Sequence, residues 1–143
     1  MAKFTIRPYL HKVHYYETDK MGIAHHSNYI RWMEEARVEF LNDIGFGFAE
    51  MEKQGVISPV VSVNCHYKTP TQFDDVIEIT VRMTEYNGIR FKYSYEMRNT
   101  DTGVLVATGE SEHCFTSDKG KPISIKKAYP EIDKLTWDVL NNQ

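Results

Sequence analysis

One segment of the sequence, SNYIRWMEEARVEFLNDI at residues 27–44, is apolar on more sides than a surface helix normally is. Apolar residues recur there at helical spacing, and others widen the stripe: Tyr29, Trp32, Met33, Ala36, Phe40 and Ile44 in the first set, Ile30, Val38 and Leu41 in the second. Ser27 or Asn28 can cap the start of this helix, and Gly45 and Gly47 can end it. We therefore predict a long helix that is buried on several sides and needs other elements around it.

The remainder of the chain supplies those elements as strands. Residues 4–16 are rich in β-branched and aromatic types and predict a first strand. Period-two patterns predict four more strands, over 56–70, 75–86, 89–99 and 104–116. Their short connections, with Asn87-Gly88 typical of a two-residue hairpin, favour antiparallel pairing. With helices near 48–53 and 129–140, the pattern predicts an α+β fold in which a curved, mainly antiparallel five-stranded sheet wraps one long central helix.

The size and charge of the chain exclude several classes of function. Its 143 residues suit one domain that spans 1–143. A net charge of -3 gives no basic field, so we expect no nucleic-acid partner. The N-terminal residues lack a continuous apolar run, which predicts a cytoplasmic protein without membrane insertion. Cys65 and Cys114 lack CxxC spacing and are expected to be reduced core thiols.

The segment just before and within the long helix, YYETDKMGIAHHSNYIRWMEEAR at 15–37, carries a distinctive spacing of polar residues. Tyr15 and Asp19 are followed by Gly22, by His26 and then by a Glu-x-Ala-Arg helix. This pattern resembles the acyl-CoA thioesterases of the 4-hydroxybenzoyl-CoA thioesterase type, in the subgroup associated with the Tol-Pal system. The resemblance implies the hot-dog fold and hydrolysis of acyl-CoA thioesters to free acid and CoA, with no cofactor. Met21 departs from the smaller residue that is common beside this glycine.

The resemblance also implies roles for residues of this segment. Asp19 is the expected nucleophile or general base. Gly22 and the backbone N–H groups up to Asn28 can bind the oxygen that becomes negative, with His26 as the main donor. Tyr15 is expected to donate a hydrogen bond to Asp19 or to border the acyl group. Glu34 and Arg37 are expected to pair on one face of the helix, with Glu34 as a reserve catalytic carboxylate.

Other residues are expected to hold the two halves of the substrate. Arg90, Lys119 and Lys121 are candidates for contacts with the phosphates of CoA. Proteins of this fold pair edge to edge, so we expect a homodimer or a homotetramer built as a dimer of dimers. Pro59, Val60 and Val61 are then expected to line the acyl pocket across the interface between chains.

Alternative functions are a thioesterase for acyl-carrier-protein esters and a non-catalytic module that binds or scaffolds thioesters on the same fold. A dehydratase fits the pattern of site residues less well. A zinc site is suggested superficially by a cluster of metal-ligating types: His11, His14, Glu17, His25 and His26. Because the chain has neither HExxH nor CxxC spacing, we predict no metal.

Overall fold

The structure is a computed structural model that describes residues 4–45 and 48–143, with the backbone alone at 48–50. The strands are β1 (Tyr9–Lys12), β2 (Val56–Ile57), β3 (Val60–Tyr67), β4 (Val76–Tyr86), β5 (Arg90–Asn99), β6 (Leu105–Cys114) and β7 (Thr116–Ser117). The helices are a 3-10 turn (Tyr15–Glu17), α1 (Ser27–Asp43), α2 (Phe48–Lys53), α3 (Ile125–Ala128) and α4 (Pro130–Asn142). None of the described helices is both long enough and apolar enough to cross a membrane.

The main sheet confirms the α+β arrangement that the sequence predicts. Its strand order is β1-β4-β5-β6-β3, and each neighbouring pair is antiparallel. Helix α1 lies against this sheet with its apolar sides buried, and its fully buried side chains include Trp32, Met33 and Phe40. A five-stranded antiparallel sheet around one long helix is the hot-dog arrangement.

The close approach of α1 to the sheet depends on Gly109 in β6. A Cβ atom at that position would lie 2.2 Å from Met33 Cε and 2.8 Å from the backbone oxygen of Asn64. Only a residue without a side chain allows the helix to pack this closely over the β3–β6 pair.

Two predicted strands are shorter than expected. The strand predicted over 4–16 is limited to β1, because His14 N–H donates to Glu17 Oε1 at 2.8 Å and turns the chain into a 3-10 turn. The strand predicted over 56–70 breaks at Ser58 and Pro59. Val56–Ile57 pairs instead with β7 in a small second sheet, and Pro59 has no N–H group to continue a ladder.

The ends of the elements refine several further predictions. His26, rather than Ser27 or Asn28, occupies the N-cap position of α1, and its side chain forms no capping hydrogen bond. Gly45 follows the helix with a φ of 82°, as predicted for a helix-ending glycine. Gly47, the second predicted stop, lies outside the described residues. The hairpin predicted at Asn87-Gly88 forms one residue later, because Asn87 N–H donates to the Arg90 carbonyl.

Helix α4 closes the side of the molecule near the second half of α1. Tyr86 in β4 donates a 2.5 Å hydrogen bond to Asp133 Oδ1 on α4. The side chain of Gln143 bonds both the N–H and the carbonyl of Met83. The predicted terminal helix over 129–140 is thus confirmed, although α3 precedes it as a separate turn.

Candidate active site

The segment between the 3-10 turn and α1 folds into a tight loop that carries Asp19. Asp19 N–H donates to the Ile23 carbonyl at 2.8 Å, and Gly22 N–H donates back to the Asp19 carbonyl at 2.9 Å. Gly22 has a φ of 79°, a conformation that favours glycine. Ala24 N–H bonds the Thr71 carbonyl at 2.8 Å and ties the loop to the body of the protein. The loop therefore holds Asp19 in a fixed position.

The Asp19 side chain borders a surface groove at the start of α1. Its Oδ1 accepts the Met21 N–H at 2.8 Å, which leaves Oδ2 available to a substrate or a water molecule. The groove encloses about 350 Å³. Its lining comes from the loop, the helix start and the end of β3: Asp19, Met21, Ile23, Ala24, His26, Tyr29, Tyr67, Lys68, Thr69 and Pro70.

His26 forms part of the groove wall, and its backbone N–H differs from those of its neighbours in having no described acceptor. His25 N–H donates to the Glu17 carbonyl and Asn28 N–H to the His25 carbonyl, while Ser27 N–H lies 3.2 Å from His25 Nδ1. Among the described residues, His26 N–H has no such partner. Because the positive end of a helix dipole lies here, this N–H can bind an oxygen that carries negative charge.

Glu17 holds the start of the Asp19 loop in place through hydrogen bonds of its side chain and its backbone carbonyl. Its carboxylate accepts hydrogen bonds from Trp32 Nε1 at 2.7 Å and from His14 N–H at 2.8 Å, and it contacts His11 Nε2 at 2.8 Å. Its carbonyl accepts from His25 N–H and from Asn28 Nδ2. Burial alone would raise the pKa of Glu17, but the contacts with His14, Trp32 and His11 outweigh it and hold the pKa below its ordinary value.

Tyr67 is a groove residue that the sequence reasoning missed. Its hydroxyl donates to the His26 carbonyl at 2.9 Å, and its ring meets the Tyr29 ring edge to face at 5.0 Å. Burial and the neighbouring Cys65 raise the pKa of Tyr67 to about 12, so it stays a neutral donor. An aromatic residue at the end of a strand gives no sequence signal of this contact, since such residues are common there.

Among the described residues, neither Tyr15 nor Glu34 belongs to the lining of the Asp19 groove. Tyr15 is 76% exposed and packs edge to face against Phe73 at 5.6 Å. Within the described part of the chain, its hydroxyl forms no hydrogen bond with Asp19. The predicted Glu34–Arg37 pair is wrong: Glu34 is exposed, whereas Arg37 is buried and donates to the Tyr95 hydroxyl at 3.0 Å.

Within one chain, the residues predicted to line the acyl pocket lie far from the Asp19 groove. Pro59, Val60 and Val61 lie at the start of β3, while the Asp19 groove lies at its end, beside Tyr67. Seven residues of extended strand separate those ends by about 23 Å. Within one chain, the structure therefore does not bring the predicted acyl-pocket residues and the predicted catalytic residues together.

The predicted CoA contacts share the end of the sheet where β3 starts. Arg90 pairs with Cys114 in the β5–β6 register, next to the Val60–His113 pair. Arg90 Nη1 also lies 3.3 Å from Glu112 Oε1, so its charge already has a partner. Lys119 and Lys121 are exposed in the turn that follows β7. Their binding of phosphate stays a prediction.

Strand β3 is an edge strand that is exposed on both faces. Four apolar side chains on it are each 40–50% exposed: Val60, Val61, Val63 and Tyr67. Cys65 is half-buried on the same strand, and both cysteines are free. An unpaired edge that carries this much apolar surface is suited to pairing with another strand.

One group of side chains has the ligand types and spacing that a metal needs. His11, His14 and Glu17 offer ligand atoms that all lie within 4.8 Å of one another. However, both oxygens of Glu17 already accept hydrogen bonds from protein donors. A metal would have to displace these donors, so the arrangement fits a hydrogen-bonded anchor better than a metal centre.

Comparisons with known proteins give consistent matches along nearly the whole chain. The thioesterase-like superfamily matches residues 13–134. A Bacillus subtilis protein provisionally named acyl-CoA thioesterase YneP is 38% identical over 120 residues, which cover 84% of this chain and 87% of YneP. A provisionally named esterase from Aquifex aeolicus is 39% identical over 126 residues, covering 88% and 96%. The solved structure of DHNA-CoA thioesterase from Staphylococcus aureus superposes with a TM-score of 0.89 at 34% identity, covering 95% of this chain and 93% of that one.

Proposed function

This chain belongs to the thioesterase-like superfamily, and on that basis we propose that it hydrolyses acyl-CoA thioesters to a free acid and CoA. The observation that carries the proposal is the shared groove of Asp19 and His26. One residue offers a carboxylate oxygen and the other a backbone N–H without an internal acceptor in the described structure. A reacting carbonyl needs both kinds of group at once.

The mechanism assigns one step to each residue. Asp19 either takes a proton from the water that attacks the carbonyl carbon, or attacks that carbon itself and forms an anhydride that water then cleaves. In both routes the C–S bond breaks, and CoA leaves as a thiolate that takes up a proton. His26 N–H donates to the carbonyl oxygen as it becomes negative, a contribution typically worth about 3 kcal/mol of barrier. Tyr67 holds the His26 carbonyl and thereby orients this peptide.

The proposal includes a homodimer that pairs through β3. A two-fold axis makes the edge strands antiparallel, so the start of one β3 lies beside the end of the other. Val60 of one protomer then lies near the partner's Tyr67, and the Pro59–Val61 segment of one chain borders the Asp19 groove of the next. The separation of about 23 Å within one chain is thereby removed. A tetramer built from two such dimers stays a prediction.

Release of CoA thiol from a panel of acyl-CoA esters tests the function. The panel spans short, long and aromatic acyl groups and includes DHNA-CoA, the ester named for the Staphylococcus aureus neighbour. We expect the wild-type protein to cleave some of these esters and Asp19→Asn to lose at least about 100-fold in kcat. Asp74→Asn is the matched control, because Asp74 is exposed on a nearby loop and its side chain forms a surface ion pair with Lys12.

Each other outcome selects a different interpretation. If Asp19→Asn cleaves esters as fast as the wild type, Asp19 has no part in the mechanism. If the protein binds CoA esters without cleaving any, it is a non-catalytic thioester-binding module. If only acyl-carrier-protein esters are cleaved, the carrier protein is the physiological partner. The Tol-Pal subgroup and the cytoplasmic location stay predictions from the sequence.

A further inference from the structure

A second cavity lies on the other side of the molecule from the Asp19 groove. It encloses about 60 Å³ between the second half of α1, the sheet, α2 and α4. Most of its wall is apolar: Leu41, Ile44, Met51, Met83, Phe91, Phe115, Ile132 and Leu135. The remaining lining residues include Arg37, Ser58, Tyr93 and His113. A cavity of this kind binds apolar groups and orients them through a few polar contacts.

Arg37 is a buried cation with no carboxylate partner among the described residues. The residue is 8% exposed, and its one described hydrogen bond goes from Nη1 to the Tyr95 hydroxyl. Buried arginines are normally paired with an anion, because an unpaired buried charge is costly. The other N–H groups of Arg37 are therefore available to an acceptor that enters the cavity.

A chain of hydrogen bonds fixes the polar groups next to Arg37. The Tyr95 hydroxyl contacts Ser111 Oγ at 2.6 Å, and Ser111 Oγ contacts His113 Nε2 at 2.7 Å. Burial, together with the positive charge of Arg37, lowers the pKa of His113 to about 4. The imidazole is therefore neutral at physiological pH, and its Nε2 shares a hydrogen bond with Ser111 Oγ. Among the described residues that line this cavity, Arg37 then carries the one positive charge.

Tyr93 supplies a second donor that no described residue satisfies. The residue is 3% exposed, lines the cavity and lies close enough to Arg37 for the cation to affect its pKa. Its hydroxyl has no hydrogen-bond partner in the described part of the chain. No fully sealed side-chain oxygen there lacks a partner, so the Tyr93 oxygen opens onto the cavity. A buried hydroxyl that faces empty space is suited to a ligand.

We propose that this cavity binds the far end of an acyl group that carries an oxygen, with Arg37 and Tyr93 donating hydrogen bonds to that oxygen. The volume, room for about four water molecules, suits the end of a short chain or of a ring rather than a long alkyl tail. The apolar wall contacts the carbon atoms of the group. A hydroxyl and a carboxylate both satisfy the two donors, and the cation favours an oxygen with negative charge.

The position of the cavity relative to β3 supports this assignment, which rests on the proposed function and its dimer. Ser58 forms part of the wall, and it directly precedes Pro59 and the edge strand. In the antiparallel dimer, that end of β3 lies beside the Asp19 groove of the other chain. Each acyl group would then react in the groove of one protomer and extend towards the cavity of the other.

Matched pairs of esters test the inference. The pairs are benzoyl-CoA with 4-hydroxybenzoyl-CoA and hexanoyl-CoA with adipoyl-CoA, whose members differ only in oxygen at the far end. We expect the wild type to prefer the oxygen-bearing member of at least one pair by about tenfold in kcat/KM, and Tyr93→Phe to reduce that preference at least about threefold, because Arg37 remains as a donor. Tyr86→Phe is the control, because the Tyr86 hydroxyl bonds Asp133 outside this cavity. It should leave the ratio unchanged.

A binding measurement separates this inference from the proposed function. Calorimetry compares the two members of each pair as CoA thioethers, which carry the same acyl ends but cannot be hydrolysed, on the wild type and on Tyr93→Phe. If esters are cleaved but no ratio responds to Tyr93→Phe, the cavity assignment is overturned and the hydrolase stands. If no ester is cleaved but the oxygen-bearing thioether of a pair binds about tenfold more tightly, and Tyr93→Phe reduces that difference, the cavity assignment stands without the hydrolase. Equal binding of every pair, without turnover, overturns both.

Discussion

Trp32 Nε1 donates a 2.7 Å hydrogen bond to Glu17 Oε2, and this bond joins the central helix to the turn that leads into the Asp19 loop. Trp32 is fully buried and Glu17 is 6% exposed, so water does not compete for the contact. The backbone carbonyl of Glu17 also accepts hydrogen bonds from His25 N–H and from Asn28 Nδ2. Glu17 therefore fixes both the start of the loop and the start of α1.

Replacing Glu17 by Gln should destabilise the protein at neutral pH. A glutamine side chain has one oxygen that accepts hydrogen bonds, whereas the Glu17 carboxylate has two. Either Trp32 Nε1 or His14 N–H would therefore lose its acceptor, and the other would lose a charged one. We expect the free energy of unfolding to fall by about 2 kcal/mol. Urea unfolding at pH 7 measures it, and Glu34→Gln on the exposed side of α1 is the control. A change no larger than that control would show that the Glu17 contacts do not stabilise the fold.

The effect of Glu17 should depend on pH in one direction. Its contacts with His14, Trp32 and His11 hold its pKa in the folded protein below the ordinary value, despite burial. The charged form is thus favoured by folding. Its stabilisation is present above the unfolded pKa of about 4.3 and is lost as the pH falls through the lower folded pKa.

The difference between the wild type and Glu17→Gln should therefore shrink as the pH falls below about 4. Unfolding free energies at a series of pH values between 7 and 3 measure this difference. A difference that grows towards low pH would contradict the lowered pKa of Glu17.

The sequence predicted the fold where a hydrophobic period determines the structure. The pattern from Tyr29 to Ile44 predicted α1 to within a residue, and the long period-two segments predicted β4, β5 and β6 closely. The prediction from sequence failed where a side chain competes with a neighbouring strand for the backbone hydrogen bonds. The first strand ends because His14 N–H donates to the Glu17 carboxylate instead of to a neighbouring strand. The sequence alone does not show that these two groups form a hydrogen bond.

Gly109→Ala should destabilise the protein through overpacking. The added Cβ would meet Met33 Cε at 2.2 Å and the Asn64 backbone oxygen at 2.8 Å, so the buried Met33 side chain and the backbone of β3 would both have to shift. We expect a loss of about 2–3 kcal/mol, measured by urea unfolding. Thr108→Ala, one residue earlier on the same strand, is the control. A stability equal to that of the control would show that α1 does not pack against β6 this closely.

Removal of metal should leave activity and stability unchanged. The oxygens of Glu17 already accept from Trp32 and His14, so a cation held by His11, His14 and Glu17 would have to displace these donors. Dialysis against a chelator, followed by assays of ester hydrolysis and Tm, measures this. A loss of activity that added zinc restores would make the three side chains a metal site.

The candidate site was only partly predictable for a related reason. Asp19, Gly22 and His26 are close in sequence, so their spacing carried the resemblance. Tyr67 reaches His26 from a strand 41 residues away. The buried environment of Arg37 is also non-local, because it comes from Tyr93, Tyr95 and His113 on neighbouring strands. Such contacts depend on register, which short-range patterns do not specify.

Val63→Lys should separate the dimer and reduce hydrolysis together. Val63 lies in the middle of the exposed edge strand and is 40% exposed, so a lysine there would place like charges near the two-fold axis. We expect sedimentation to change from a dimer or larger species to a monomer, with ester hydrolysis reduced at least tenfold. Leu10→Lys is the matched control, because Leu10 is 58% exposed on β1 at the opposite edge of the same sheet. A monomeric Val63→Lys protein with full activity would show that each chain carries a complete site, and both the shared groove and the extension of the acyl group into the neighbouring cavity would then be wrong.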